Sequence, residues 1–212
     1  MDKMYRVFIS STFEDLQEER KEVIQALLGI DCVPTGMEIF QATDEDQWNL
    51  IKKVIRSCDY YIVIIGSRYG SIHPQTGKSY TQMEYEYAIE VGIPILGFVY
   101  KDIKHLPWNK IDNAPKLEEF IELVKRKMVR FWKTPEDLAK NVLLSLHKVI
   151  LTHPRPGWIK GDSEKTTSTS QQISSKIKYS PPIDTYPIDY WSSGLMEFAN
   201  ILTLFPTLSN TL

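Results

Sequence analysis

One short predicted helix carries the acidic side chain best placed for chemistry. The stretch "YTQMEYEYAIEVGIPIL", residues 80–96, contains three glutamates ahead of an apolar strand. Because residues three or four apart share a helix face, one stripe combines small and apolar residues with a single acid: Thr81, Glu84, Ala88 and Val91. Glu86 and Glu90 share a different stripe. We therefore expect Glu84 to face the sheet as the candidate catalytic carboxylate. The structural alternative is a glutamate in the first helical turn that only favours the helix dipole.

Cleavage of an N-glycosidic bond is a reaction that one such carboxylate can perform. The transition state resembles an oxocarbenium ion, so a carboxylate beside the sugar stabilises it or forms a covalent intermediate. Hydroxyl and backbone N–H groups would hold the phosphates and ribose, and aromatic rings such as Tyr69 or Tyr80 would stack on a base. The candidate substrate-binding residues are polar, glycine or aromatic residues near strand ends: Ser10, Ser11, Thr12, Glu38, Gly66, Arg68, Tyr69 and Tyr80.

Several of these residues also have a purely structural explanation. Ser11 or Thr12 would cap the helix that follows the first strand, which explains them as well as a site role does. Arg68 would meet a phosphate or simply lie on the surface. Glu38 would hold ribose hydroxyls or cap a loop. The segment "SSTF" (10–13) is also compatible with a flavin-type phosphate loop, since hydroxyl and helix N–H groups meet there.

Strands and helices alternate along the chain and must position these residues. Five short apolar runs are predicted strands: residues 5–9, 32–40, 60–66, 94–100 and 128–132. Helical spacing predicts five helices: residues 13–28, residues 44–58, the helix of Glu84 ending at an αL cap at Gly92, residues 116–127, and residues 134–151 starting with Thr134 as cap and Pro135.

This alternation predicts an α/β fold: a doubly wound, flavodoxin-like, five-stranded parallel sheet with helices on both faces. Any site then lies at the carboxyl ends of the strands. A receiver domain shares the order but needs acids where this chain has Ser10–Ser11 and Gly66–Ser67. That role is therefore disfavoured.

The α/β domain is predicted to span residues 1–162. Residues 163–182 are rich in Ser, Thr and Gln and are typical of a polar, flexible linker. Residues 183–212 contain one short amphipathic C-terminal segment. It would dock on the main domain, bind a partner protein or begin a larger domain.

Composition excludes several classes of protein. A net charge of −2 makes nucleic acid and anionic membranes poor candidates as main partners. Cys32 and Cys58 form no CxxC motif, which fits a reducing compartment. The four histidines are not at metal-ligand spacing, so no metal is expected. No signal peptide or membrane-length apolar window is evident, and we expect a cytoplasmic protein.

Four stretches together resemble a TIR-like family called domain of unknown function 4062 (DUF4062): "RVFISSTFEDLQEER", "CDYYIVIIGSRYG", "SYTQMEYEYAIEVGIPIL" and "RPGWIKGD". The resemblance covers residues 4–162 and implies kinship with TIR domains and nucleoside 2-deoxyribosyltransferases. "FIS" is similar to the opening TIR box. The spacing of Glu84, Ala88, Gly92 and Pro94 is similar to the segment in which those relatives carry their catalytic glutamate.

By that match, Glu84 would be the catalytic acid, and Ser10, Ser11 and Arg68 would line a nucleotide pocket. The cysteine that TIR domains carry near this glutamate is missing, with Thr81 and Met83 nearby instead. The leading hypothesis is a nucleotide-processing effector that hydrolyses an N-glycosidic bond of NAD or a related nucleotide. Its setting would be antiviral defence or stress signalling.

The alternative is a non-catalytic module of a larger signalling protein that binds a nucleotide signal or assembles with itself. A third reading is deoxyribosyl transfer between bases. The expected ligand is a nucleotide, bound as substrate or signal, with no separate cofactor. Self-association is expected, whereas nucleic acid and membrane are not expected partners.

Overall fold

The chain forms a five-stranded, all-parallel sheet in the order β2-β1-β3-β4-β5. The structure is a computed structural model and describes residues 3–36, 47–103 and 112–159. The strands are β1 (Tyr5–Ser11), β2 (Cys32–Thr35), β3 (Tyr60–Ile65), β4 (Ile95–Tyr100) and β5 (Val129–Trp132). This is the doubly wound architecture that strand and helix alternation predicted.

Helices cover both faces of the sheet. They are α1 (Gln17–Leu28), α2 (Gln47–Arg56), α3 (Tyr80–Glu90), α4 (Ala114–Lys125) and α5 (Pro135–Thr152). Apolar residues of α1 and α5 share one buried cluster, and those of α2, α3 and α4 share the other. The predicted pair of helical layers is confirmed.

β3 lies at the centre of this packing because all six of its residues are buried. Successive side chains of a strand point to opposite faces. Tyr60, Ile62 and Ile64 accordingly join the cluster of α1 and α5. Residues 61, 63 and 65 join the cluster of α2, α3 and α4. A strand that is buried on both faces has a continuous apolar sequence, and β3 was predicted from that pattern.

The start of α1 differs from prediction, and the start of α3 removes the structural alternative for Glu84. α1 begins at Gln17 with Leu16 as its N-cap and no side-chain cap bond, so the expectation that Ser11 or Thr12 caps this helix is wrong. Glu84 lies in the second turn of α3, and the first turn holds no acid. The helix dipole, which acts within the first turn, therefore does not explain Glu84.

The predicted ends of two other helices are confirmed. Gly92 has φ of +71° immediately after α3, as an αL cap requires. The Thr134 hydroxyl accepts a hydrogen bond from the Asp137 N–H, and Pro135 occupies the first turn of α5.

The chain at Gly157 and Trp158 is hydrogen-bonded to the segment around the start of β1. Trp158 and Met4 exchange backbone hydrogen bonds of 2.7 and 2.9 Å. The buried Asp59 carboxylate accepts the backbone N–H groups of Arg6 and Gly157. This stretch therefore joins residues that are far apart in sequence. The predicted linker, 163–182, and the C-terminal segment, 183–212, lie outside the described residues.

Candidate active site

The sheet order reverses between β1 and β3, and this point organises the candidate site. β1 pairs with β2 on one side and with β3 on the other, so the connections that follow β1 and β3 diverge at their carboxyl ends. Open α/β sheets bind ligands in the crevice at such a switch point. The end of β1, the loop after β3 and the start of α3 meet here.

A buried hydroxyl–carboxylate contact lies at this switch point. Ser10 Oγ donates a hydrogen bond of 2.5 Å to Glu84 Oε2. Ser10 is 1% exposed and Glu84 is 2% exposed. Buried carboxylates are uncommon unless they are paired or hydrogen-bonded. The prediction that Glu84 faces the sheet is confirmed.

Tyr61 is the third polar group near this contact. Its ring stacks on Phe8 with centroids 5.6 Å apart, and the side chain is fully buried. Burial raises the pKa of Tyr61 well above its ordinary value of 10, and the negative charge of Glu84 raises it further. The nearby Ser10 hydroxyl lowers the pKa of Tyr61. The Tyr61 phenol oxygen nevertheless has no hydrogen-bond partner among the described residues.

Ser11 faces the other side of the sheet, away from Glu84. β1 extends through Ser11, two residues beyond its predicted end, and Ser11 pairs with Ile64 of β3. Side chains alternate along a strand, so Ser10 and Ser11 point to opposite faces. Ser11 Oγ instead accepts a hydrogen bond of 2.7 Å from the buried Arg20 guanidinium. The predicted hydroxyl cluster is therefore divided between the two faces.

Thr12 and Gly66 belong to a network that ties the loops after β1 and β3 together. Thr12 Oγ1 donates to Asp15 Oδ1 at 2.5 Å. Asp15 Oδ2 accepts the backbone N–H of Ser67 at 3.2 Å and its hydroxyl at 3.3 Å. A Cβ at Gly66 would lie 2.8 Å from a Leu16 methyl carbon and 2.9 Å from Asp15 Oδ2. Gly66 thus permits this close approach.

The loop after β3 reaches the first turn of α3. Gly70 has φ of +94°, and a Cβ there would lie 2.9 Å from Thr12 Cγ2 and 3.7 Å from Thr81 Oγ1. The buried Ser79 caps α3 by accepting the Gln82 N–H. Thr81 and Glu84, one turn apart, are both buried. The end of β1, the loop after β3 and the start of α3 therefore converge, as expected for the carboxyl ends of these strands.

Three other candidate residues already have protein partners. Arg68 forms an ion pair of 2.5 Å with Glu14; Arg68 is partly exposed and Glu14 is exposed. Tyr69 is 2% exposed, with its hydroxyl bonded to Gln82, so its ring is not presented for stacking on a base in this conformation. Tyr80 is partly exposed and packs edge-on against His73, 5.5 Å away. Glu38 lies outside the described residues.

Sequence reasoning missed Arg20, Asp15 and Tyr61 as parts of this region. Arg20 had a detectable signal, because it falls on the helical stripe that is otherwise apolar: Leu16, Val23 and Leu27. An arginine there must bury its charge and find acceptors. Nothing in the sequence indicated that Tyr61 belongs to the site, because an aromatic residue in an apolar strand is normally a core residue.

In the described ranges, no group of three or more His, Cys, Asp or Glu side chains is placed to hold a metal ion. None of the helices described is both long and apolar enough to cross a membrane.

Comparison with known proteins identifies a family and several solved structures. The family model described as "Domain of unknown function (DUF4062)" matches residues 6–147. No curated protein matches the chain. The TIR domains of the activated Roq1 resistosome, which directly recognizes the pathogen effector XopQ, show 10% identity and a TM-score of 0.49 over 67% of this chain and 99% of that chain.

Two further solved structures were compared. The CMP N-glycosidase BcmB from Clostridium botulinum shows 16% identity and a TM-score of 0.44, over 66% of this chain and 98% of its own. A 2-deoxyribosyltransferase from Leishmania mexicana shows 22% identity and a TM-score of 0.33, over 45% of this chain and 64% of its own.

Proposed function

The chain belongs to the DUF4062 family, and from that premise and the geometry around Glu84 we propose that it hydrolyses an N-glycosidic bond of NAD or a related nucleotide. The observation that carries this proposal is the hydrogen bond between Ser10 and the buried carboxylate of Glu84 at the switch point of the sheet. A polar pair in that position lies where this class of fold binds its ligands. The motif match at Glu84 and Pro94 supports the same assignment.

Glu84 would act on the anomeric carbon of the ribose that bears nicotinamide. The bond from this carbon to the ring nitrogen breaks, and its electron pair neutralises the positively charged nitrogen, so neutral nicotinamide leaves. The carboxylate stabilises the oxocarbenium-like sugar or bonds to it transiently. Water supplies the hydroxyl at the sugar carbon and releases one proton. Water is the only co-reactant that this reaction consumes.

Ser10 would orient the Glu84 carboxylate. Donation to Oε2 holds the carboxylate group in one orientation. Holding a reactive group in one geometry before substrate arrives lowers the cost of reaching the transition state. Thr81, one turn before Glu84 on α3, and the backbone around Gly70, close to the Thr81 hydroxyl, would contact the nucleotide.

A second candidate function is a module that binds a nucleotide signal or assembles with itself, without turnover. The observation favouring it is that Glu84 is only 2% exposed, so its carboxylate is closed to a substrate in this conformation.

Catalysis would require the site to open. We propose that self-association supplies this opening, in a defence or stress-signalling setting, which makes activity dependent on protein concentration.

The test is turnover of NAD and a panel of nucleotides by purified protein at low and high concentration. Released nicotinamide or free base would be followed by chromatography. Glu84→Gln keeps the shape of the side chain and removes its charge, and we expect it to abolish release. Glu90→Gln on the exposed face of the same helix is the matched control and should keep full activity.

Each outcome separates the candidates. Release that disappears in Glu84→Gln and persists in Glu90→Gln supports the glycosidase. Full turnover in Glu84→Gln overturns the role of this carboxylate. Tight binding of a nucleotide without consumption at any concentration supports the binding module, and base exchange with deoxynucleosides would point to transfer instead of hydrolysis.

A further inference from the structure

A basic cleft lies between α2 and α3. Its volume is about 380 Å³, and it is lined by Asn49, Lys52, Lys53, Arg56 and Tyr87. The four residues from α2 follow the spacing i, i+3, i+4 and i+7, so they form one continuous face of that helix. Ile51 and Ile55, on the opposite face, are fully buried in the core. α2 therefore presents three cationic side chains and one amide side chain to the cleft.

Two of these cations, Lys52 and Arg56, carry charge that no carboxylate of the described residues balances. Neither Lys52 nor Arg56 forms an ion pair with a carboxylate of the described residues, and no acidic residue is among those that line the cleft. Like charges spaced i, i+4 on a helix repel one another. Cations near the end of a helix favour its dipole, which accounts for Arg56 in the last turn of α2. That effect falls off within one turn and does not account for Lys52.

Aromatic rings hold two of the cations in place. The Arg56 guanidinium carbon lies 5.5 Å from the centroid of the Tyr87 ring. Lys52 Nζ lies 5.8 Å from the centroid of the Trp48 ring. Trp48 and Tyr87 themselves pack edge to face at 5.9 Å. Such contacts restrict long side chains and keep their charged groups together without neutralising them.

The Tyr87 hydroxyl is the second indication of a ligand. Tyr87 is 6% exposed, and its hydroxyl is buried without a hydrogen-bond partner among the described residues. Buried hydroxyl groups normally have a partner in the protein or in ordered water. A hydroxyl left unsatisfied on the wall of a cationic cleft is a donor for an oxyanion.

We propose that this cleft binds a small phosphate-bearing ligand through two or more negative charges, in the manner of a diphosphate group. Lys52 and Arg56 contribute the charge, the planar Arg56 guanidinium contributes paired N–H donors, and the Tyr87 hydroxyl contributes a further donor after a small opening of the wall. The volume suits a small molecule. The proposal names a site other than Glu84 and does not depend on turnover there.

An acidic polypeptide is the rival occupant. It would lie across a flat or convex basic surface and gain little from a buried hydroxyl. The cleft is concave, and two of its cations, Lys52 and Arg56, are held by neighbouring rings, which favours a compact anion. Inorganic diphosphate and a nucleoside diphosphate share the proposed chemistry and are separated by experiment.

The experiment titrates the full chain with sodium pyrophosphate, with ADP and with an acidic peptide by calorimetry, and follows backbone NMR shifts. We expect pyrophosphate to shift residues 49–56 and Tyr87. Arg56→Gln should weaken binding by about tenfold or more, equivalent to about 1.4 kcal/mol. Lys140→Gln, an equal loss of charge on the exposed surface of α5, should change it by less than about twofold.

Tyr87→Phe keeps the ring and the charge and removes only the hydroxyl, so its weaker binding would identify a built site instead of diffuse attraction. Equal affinities for pyrophosphate and ADP would assign the diphosphate group alone, and tighter ADP binding would assign an organic phosphate. The proposal is overturned if neither anion binds. It is also overturned if Arg56→Gln and Lys140→Gln weaken binding equally, or if the peptide binds more tightly with the same residue dependence. Urea unfolding of each variant confirms that it is folded.

Discussion

The Ser10 hydroxyl on β1 donates a hydrogen bond of 2.5 Å to Glu84 on α3, although 74 residues separate the two in the chain. Both side chains are almost completely buried. The contact joins β1, the neighbour of the central strand β3, to the helix that carries the candidate carboxylate. It links folding stability to the proposed site, so stability measurements can test the geometry even before a substrate is known.

The first prediction concerns the energetic coupling of these two residues. Ser10→Ala should lower the free energy of unfolding by about 1–3 kcal/mol, because it removes a hydrogen-bond donor from a buried carboxylate. In a double-mutant cycle with Glu84→Gln, the coupling should be about 0.5–3 kcal/mol. Urea unfolding measures all four proteins. Ser57→Ala, at an exposed helix end, is the control and should change stability by less than about 0.5 kcal/mol. Strict additivity of the two substitutions would contradict the buried contact.

The second prediction concerns the buried arginine of α1. Arg20→Met should cost about 1–3 kcal/mol of unfolding free energy, because the Ser11 hydroxyl and the Ile9 carbonyl lose their donor. Lys21→Met, on the exposed side of the same helix, should cost less than about 0.5 kcal/mol. Equal costs in denaturant unfolding would show that the guanidinium is not held as described.

The third prediction concerns the close approach at Gly66. Gly66→Ala should destabilise the protein by about 1–3 kcal/mol, because the new methyl group would displace Leu16 and the Asp15 carboxylate that binds Ser67. Gly29→Ala is the matched control. Its backbone is right-handed helical with φ of −65°, and the nearest neighbour of a Cβ there is 3.4 Å away. We expect Gly29→Ala to be neutral or to stabilise by up to about 1 kcal/mol. A neutral Gly66→Ala in thermal unfolding would refute the tight loop packing.

The fourth prediction concerns alkaline pH. Burial and the nearby Glu84 charge raise the pKa of Tyr61 in the folded protein, whereas in the unfolded chain it ionises near 10. The stability that comes from neutral Tyr61 is therefore fully present below about pH 10 and is lost as the pH rises further. Urea midpoints should fall above pH 10, and they should fall less steeply in Tyr61→Phe.

Ionisation of Cys58 does not affect the comparison between the parent protein and Tyr61→Phe. Burial raises the pKa of its thiol to about 11, so it also destabilises the fold at high pH, but it is present in both proteins. At neutral pH, Tyr61→Phe should be neutral or slightly stabilising, because it removes a buried hydroxyl without a partner. Identical slopes for the two proteins above pH 10 would contradict the raised pKa.

Much of the fold could be predicted because it depends on local patterns. The strand-forming run of β3, the αL cap at Gly92 and the Thr134–Pro135 start of α5 are set by neighbouring residues along the chain. The orientation of Glu84 toward the sheet follows from helical spacing, and the structure confirms it. The role of Glu84 in chemistry stays a prediction.

The site was less predictable because its contacts are made between distant segments. Arg68 was a candidate for phosphate, but its charge is paired with Glu14 from the loop after β1. Tyr69 was a candidate for base stacking, but its ring packs against Phe120 on α4. Neither partner can be inferred from the residues adjacent in sequence.

The amino-acid sequence by itself determined the alternation of strands and helices, the parallel sheet and the side of α3 on which Glu84 lies, since each follows from spacing within a few residues. Only the tertiary structure decided which hydroxyl meets that carboxylate. Pairing with β3 extends β1 through Ser11, and the alternation of its side chains then sends Ser10 to Glu84 and Ser11 to Arg20. The length of a strand depends on its partner strand, and that partner is distant in the chain.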